Sequence, residues 1–218
     1  MTAGAPMRGQ RIVVSAGPTF EDIDPVRFIG NRSSGKMGFA IAAAAAGRGA
    51  GVVLVAGPVA LATPAGVQRI DVRSAAQMHD AVLAALPADA YIGAAAVADY
   101  TPARVAASKI KKAAGHLTLE LVPTADILAD LGAHALRPRL LVGFAAETGN
   151  VEAYARGKLE GKRLDLIAAN LVGVAGSGFE SDDNALTIYW AGGEHAFGPA
   201  PKTELADRLL DLIAQRLR

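Results

Sequence analysis

The stretch Arg11–Ala46 begins with RIVVSA at Arg11–Ala16, continues to GNRSSGKMG at Gly30–Gly38, and ends in the alanine-rich segment FAIAAAAA at Phe39–Ala46. A strand, a glycine-framed loop and a helix in that order present backbone N–H groups and the positive end of a helix dipole to one spot. Both favour an anion. Gly30, Gly35 and Lys36 fit the nucleotide-binding phosphate loop up to its last position. There Met37 replaces the Ser or Thr whose hydroxyl binds magnesium. That loop also follows its strand directly, whereas thirteen residues, Gly17–Ile29, separate Ala16 from Gly30. The stretch therefore reads as an anion-binding loop of another kind, with Ser34 predicted to cap the helix and Gly47 to close it.

The same alternation runs along the chain. Further strands are predicted at Gly51–Ala56, Arg69–Val72, Ala90–Ala95, Leu140–Ala145 and Asp165–Ala169. Helices are predicted over Lys36–Ala46, Ala75–Leu86, Ala125–Leu131 and Val151–Lys162, with Ser74 capping the second. This pattern predicts an α/β fold, a doubly wound, Rossmann-like, mostly parallel sheet with helices on both faces. Ligands of such sheets bind beyond the carboxyl ends of the strands, which directs attention to loops starting at Gly17, Gly57, Ala96, Ala146 and Asn170. Two stretches depart from the alternation. Tyr100–Val122 is too long for an ordinary connection and is expected to be a long lid loop. Ala185–Phe197 reads as a hairpin around Gly192-Gly193, after which Pro201 opens a helix with Leu205, Leu209, Leu212 and Leu217 on one face. Residues 1–10 read as a flexible leader and 11–218 as a single domain.

Composition narrows the function classes. Of 218 residues 51% are hydrophobic and only 5% aromatic, so the core is aliphatic. The 22 basic and 21 acidic side chains leave a net charge of +1. That gives no general electrostatic drive towards nucleic acid or an anionic membrane. The absence of cysteine removes disulfides, thiolate zinc sites and thiol nucleophiles. The run Phe39–Ala46 falls far short of the ~20 apolar residues that span a bilayer, and the first ten residues lack the apolar core of a signal peptide. A soluble, cytoplasmic protein is expected.

Four groups of residues are candidates for chemistry, each with a plainer alternative. The loop Gly17–Ser34 gathers Asp22, Asp24, Arg27, Asn31, Arg32, Ser33 and Ser34, either as hooks for a ligand or as a solvated surface. In Gly93–Tyr100, GAAAVADY, the small residues Gly93, Ala94 and Ala95 let a ligand approach the backbone, and Asp99 can accept from ribose hydroxyls. The plainer reading is close packing and a turn cap. Lys109, Lys111 and Lys112 are either a solvated face or cations that a lid delivers to phosphates. Lys158 and Lys162 share a helix face, where a phosphate or a carboxylate from elsewhere would relieve their repulsion. His79, His116, His134 and His195 show no metal-ligand spacing, and Ser15, Ser33 and Ser34 have no evident His/Asp partners. No protein-built metal site is assigned.

Several motifs in order carry a resemblance: DPVRFIGNRSSGKMGFAIA at Asp24–Ala42, AAVADY at Ala95–Tyr100, KIKK at Lys109–Lys112, DIL at Asp126–Leu128, GFAAET at Gly143–Thr148 and SDDNAL at Ser181–Leu186. Together they resemble the phosphopantothenoylcysteine synthetases, in bacteria usually the carboxyl half of a bifunctional coenzyme A biosynthetic protein. The resemblance implies a ligase that joins 4′-phosphopantothenate and L-cysteine with CTP, through an acyl-cytidylate, and with Mg2+ arriving on the triphosphate. It implies catalytic roles for Asn31 and Lys109. CTP would be held by Gly93, Ala94, Ala95, Asp99, Lys109, Ala125, Asp126, Ile127, Leu128, Phe144, Lys158 and Lys162. Phosphopantothenate would meet Asn31, Arg27, Ser33, Ser34, Gly35 and Lys36. A homodimer with the site at the subunit interface is implied, as is a fused or associated flavoprotein decarboxylase half. Neither nucleic acid nor a membrane is expected as partner. Where the family commonly has Asn-Pro-Asp-Ile this chain has Thr124-Ala125-Asp126-Ile127, and eukaryotic relatives use ATP, so ATP stands as an alternative nucleotide. An NAD(P)-dependent oxidoreductase would suit the same sheet, but its G-x-G-x-x-G should follow the first strand, where Gly17-Pro18-Thr19 stands instead.

Overall fold

In the computed structural model, residues 6–112, 115–147, 149–171 and 182–218 are described. In chain order the elements are β1 (Arg11–Ala16), β2 (Phe20–Asp22), β3 (Phe28–Gly30), α1 (Lys36–Gly47), β4 (Gly51–Ala56), β5 (Val67–Asp71), α2 (Ala75–Ala84) and β6 (Ala90–Gly93). They continue with β7 (Tyr100–Pro102), β8 (Leu121–Pro123), α3 (Ile127–Ala133), β9 (Leu140–Glu147), α4 (Val151–Gly161), β10 (Leu166–Leu171), β11 (Asp183–Trp190), β12 (Gly193–Pro201) and α5 (Lys202–Leu217).

Eight strands form one sheet in the order β12-β11-β10-β9-β6-β1-β4-β5. From β10 to β5 all pairings are parallel, and β11 and β12 add an antiparallel edge. Parallel strands covered on both faces are apolar throughout, which is why RIVVSA and GVVLVA carry no polar alternation. Ile12 and Val14 face α1 and α5 with Ile41, Leu54 and Leu209, whereas Val13 faces α2, α3 and α4 with Met78, Leu131 and Leu159. From β1 the chain builds outward through β4 and β5, then returns to the other side of β1 with β6, β9 and β10. The order therefore reverses between β1 and β6, and a crevice opens beyond Ala16 and Gly93.

The local differences from the sequence reading have physical causes. The N-cap residue of α1 is Gly35, at φ 75, which has no side chain to offer as a cap. Glycine enters the left-handed turn most readily, so the cap position falls on Gly35 and not on Ser34 as expected. Gly47 is the last residue of α1 rather than its stop, and the chain leaves at Gly49, φ 87. The third helix starts at Ile127 because Asp126 caps it, accepting the Ala129 N–H at 3.0 Å. Ser74 caps α2 as expected, in a capping box with Gln77. Gly17–Ser34 is not structureless: it folds back as the β2–β3 hairpin. The long Tyr100–Val122 stretch is closed at its base by the β7–β8 pair. Met7, inside the expected leader, is 1% exposed and bonds Arg48 through its N–H. At the outer edge, β12 contains Pro199 and Pro201. Among the described residues no helix is long and apolar enough to cross a membrane.

Candidate active site

Two cavities lie side by side at the carboxyl ends of the central strands. The first, about 470 Å³, is lined by Asn31–Gly38 of the glycine-framed loop, by Ala94–Val97 after β6, and by Phe144–Ala146 of β9. Asn170, Asn184, Lys158 and Lys202 complete it. A Cβ on Gly38 would fall 2.5 Å from that of Ala16. The missing side chain lets the first turn of α1 press onto β1, and the helix N-terminus forms part of the wall, a setting that favours negative charge. Asn31 donates Nδ2 to the Val97 carbonyl oxygen at 2.8 Å, and Lys36 Nζ meets Asp182 Oδ1 at 2.7 Å. Lys202 is 7% exposed. Burial, and then the charge of Lys36, push its ammonium pKa down, against the pull of Asp182.

The second cavity, about 270 Å³, is lined among others by Gly93, Asp99, Thr124, Asp126, Lys158 and Lys162. Ser15 and Tyr91 also line it, their hydroxyls 2.8 Å apart, and burial pushes the Tyr91 phenol up. Lys162 Nζ lies 2.7 Å from Asp126 Oδ2, and Lys158 Nζ 2.7 Å from Glu147 Oε1. Burial works against the Asp126 carboxylate, but Lys162 and the N–H groups of Ala129 and Leu128 outweigh it, so its pKa falls below the ordinary value. Ala95, Val97, Phe144 and Lys158 border both cavities. A ligand with two charged ends joined through a reacting centre fits this outline: one end at the helix N-terminus, the other at the paired lysines.

The residues expected to hold a nucleotide converge. Gly93, Ala95, Asp99, Ala125, Asp126, Ile127, Leu128, Phe144, Lys158 and Lys162 line the second cavity, and Ala94 lines the first. Asn31, Ser33, Ser34, Gly35 and Lys36 line the first, as a set. Arg27 and Lys109 line neither. Arg27 pairs with Asp24 at 2.7 Å, and Lys109 is exposed on the segment after β7. Thr148 and Ser181 of the motifs lie outside the described residues. Sequence reasoning assigned no role to Ser15, Tyr91, Asn170, Asn184 and Lys202. The strand-end position of Asn170 and the SDDNAL motif around Asn184 were usable signals; the buried Lys202 had none. Among the described residues no group of three or more His, Cys, Asp or Glu side chains forms a metal cluster.

A family model described as DNA/pantothenate metabolism flavoprotein C-terminal domain matches residues 7–217. The coenzyme A biosynthesis bifunctional protein CoaBC of Vibrio cholerae is 51% identical over 212 residues, covering 96% of this chain and 53% of that protein. CoaBC of Escherichia coli K12 is 52% identical over 209 residues, with 94% and 52% covered. The chain thus spans about half the length of the curated relatives it matches. The crystal structure of the C-terminal domain of a CoaBC superposes with a TM-score of 0.83 at 41% identity, covering 98% of both chains. A Cab2 variant in complex with phosphopantothenate-cysteine shares the fold, with a TM-score of 0.78 at 16% identity over 96% of this chain and 88% of that one.

Proposed function

This chain belongs to the DNA/pantothenate metabolism flavoprotein C-terminal domain family, and on that premise we propose that it is a phosphopantothenate–cysteine ligase of coenzyme A biosynthesis that uses CTP. One observation carries the reading: apart from Arg27 and Lys109, which line neither, the residues expected for the two substrates line two abutting cavities at the topological switch point, with Ala94 of the nucleotide set in the first. In the first step a carboxylate oxygen of 4′-phosphopantothenate attacks the α-phosphorus of CTP. A P–O bond forms, the bond to the bridging oxygen breaks, and pyrophosphate leaves. In the second step the amine nitrogen of L-cysteine attacks the acyl carbon, the C–O bond to phosphorus breaks, CMP leaves and the amine gives up a proton. A carboxylate acylates poorly, whereas the mixed anhydride has a good leaving group.

Phosphopantothenate would occupy the cavity at the α1 N-terminus, with Asn31 against the acyl group. The nucleotide would occupy the other, with Lys158 and Lys162 exchanging Glu147 and Asp126 for phosphate oxygens. Mg2+ fits this arrangement as a companion of the triphosphate, since the carboxylates here are few and Asp126 is already paired; Asp99, at the rim, is the carboxylate best placed to help. When bound, the ion neutralises phosphate charge. Lys109 would add its charge from the surface segment. We further propose a cytoplasmic homodimer whose second subunit helps complete the site, fused to or associated with a flavoprotein decarboxylase.

The decisive assay follows pyrophosphate and CMP. Pyrophosphate release is expected only with CTP, magnesium and phosphopantothenate together, and CMP release should rise on adding cysteine. Hydride transfer to or from NADP without pyrophosphate would refute the ligase reading, and equal rates with ATP would refute the choice of nucleotide.

A further inference from the structure

Asp24 is 1% exposed, a place where a carboxylate needs partners to remain ionised. Its Oδ1 accepts the N–H groups of Val26 at 2.8 Å and Arg27 at 2.9 Å. Its Oδ2 accepts Nη1 of Arg27 at 2.7 Å and the N–H of Ile110 at 3.1 Å. The same Nη1 donates to the Ile110 carbonyl oxygen at 3.2 Å. Both backbone polar groups of Ile110, the residue next to Lys109, are therefore held by one ion pair. Burial would raise the Asp24 pKa, but the N–H groups of Val26, Ile110 and Arg27 and the guanidinium charge outweigh it and hold it below the ordinary value.

The two sides of this clasp differ in how firmly they are built. The β2–β3 hairpin is tied to the body: the Phe20 N–H donates to the Arg73 carbonyl at 2.7 Å, Thr19 Oγ1 accepts the Ala98 N–H at 2.9 Å, and Glu21 accepts the Ala75 N–H at 2.8 Å. Across the segment 103–112 most residues are exposed. Its other bonds to the rest of the molecule are few: Ala106 N–H to the Ile23 carbonyl at 2.9 Å, on the same hairpin, and Ala103 N–H to Glu120 at 2.9 Å near its own base.

We propose that Asp24, acting through Arg27 and the backbone of Ile110, is a positioning residue that fixes where the surface segment presents Lys109. The consequence for turnover rests on the ligase reading above; the mechanical claim does not. It also accounts for Arg27, a candidate that lines neither cavity, since its guanidinium is spent on joining two segments far apart in sequence.

The chain has no cysteine, so Ser108→Cys, an exposed position beside Lys109, takes a single spin label. Asp24→Asn keeps the shape but puts an amide among donors. The label should become markedly more mobile in that variant with the far-UV spectrum unchanged. If Asp24→Asn does not fold, Ile110→Pro reaches the same end from the exposed side by deleting one donated N–H, and must give the same rise in mobility. In the ligase assay Asp24→Asn should lower kcat roughly ten- to a hundred-fold with a smaller change in KM for CTP, and should have no further effect once Lys109→Gln is present. A label equally immobile in a folded variant, or losses that multiply with Lys109→Gln, would overturn the proposal. A parent protein releasing no pyrophosphate would refute the ligase reading alone, and the label would still decide the clasp.

Discussion

The cavities at the sheet ends and the surface segment that carries Lys109 offer positive charge in opposite ways. In the cavities the polar groups arrive engaged: Lys36 with Asp182, Lys158 with Glu147, Lys162 with Asp126, and Asn31 with the Val97 carbonyl. Among the described residues Lys109 stands in solvent with no carboxylate in reach. Engaged groups hold their geometry before a ligand comes, and in the proposed reaction a phosphate or acyl oxygen would replace a partner already in place. An exposed cation has nothing to surrender, and contributes only once something brings it and the substrate together. The first arrangement should show itself in binding and in the fidelity of the two steps, the second in turnover.

The strongest way to break this contrast is Asn31→Asp. The substitution removes the donor that reaches Val97 and places a negative charge where the proposed function puts the acyl group. Completed turnover should fall by on the order of 10³, with the acyl-cytidylate accumulating on the enzyme and visible by mass spectrometry of the quenched reaction. Full activity with cysteine, or no cytidylate despite intact CTP binding, would remove Asn31 from the second step. Next comes Lys109→Gln. Turnover should drop by roughly 10²–10³ while CTP binding measured by calorimetry changes little. Lys111→Gln and Lys112→Gln should do less. A loss confined to binding would make Lys109 one more cavity-type cation.

A smaller effect sharpens the other side. Asn caps helices as well as Asp, so Asp126→Asn should keep the α3 cap while freeing Lys162 for the proposed nucleotide. CTP should then bind about two- to five-fold tighter, the scale of a partly exposed ion pair. Weaker binding would show that the carboxylate itself touches the ligand. The least effect is in pH. A carboxylate with a pKa lower folded than unfolded stabilises the fold at pH above its unfolded value, and that contribution is lost as pH falls through the folded value. Urea unfolding midpoints of the parent and Asp126→Asn should therefore differ most near neutrality and converge in acid below the usual carboxylate range. A constant difference across that window would mean that Asp126 does not titrate with folding.

Much of this was legible in the sequence because it rests on local signals. The apolar runs of β1, β4 and β9 and the alternation with helices are patterns within short windows, and GNRSSGKMG places one wall of a cavity in contiguous residues. The second cavity was legible only through motifs scattered from Gly93 to Lys162, since strand ends meet there by topology and not by sequence. Register-dependent pairing was hidden: the opposition of Glu147 to Lys158 depends on how α4 packs over β9, and that of Asp24 to Ile110 on a hairpin folding beneath a distant segment. Ser34 misled because a helix cap is decided by backbone angles, and glycine enters the left-handed turn at position 35 more readily than serine. Lys202 gave no sign because its burial comes from α5 docking beside β12.

The prolines of β12 bear on how these molecules behave in company. A sheet ending in an uncovered strand invites a further strand from another chain, the first step towards fibrous association. Here two of the nine positions of that strand, Pro199 and Pro201, have no N–H to extend to a newcomer, and Glu194 places a charge near its other end. Growth by strand addition is discouraged at this border, so copies that meet there are less prone to join into a continuous ribbon.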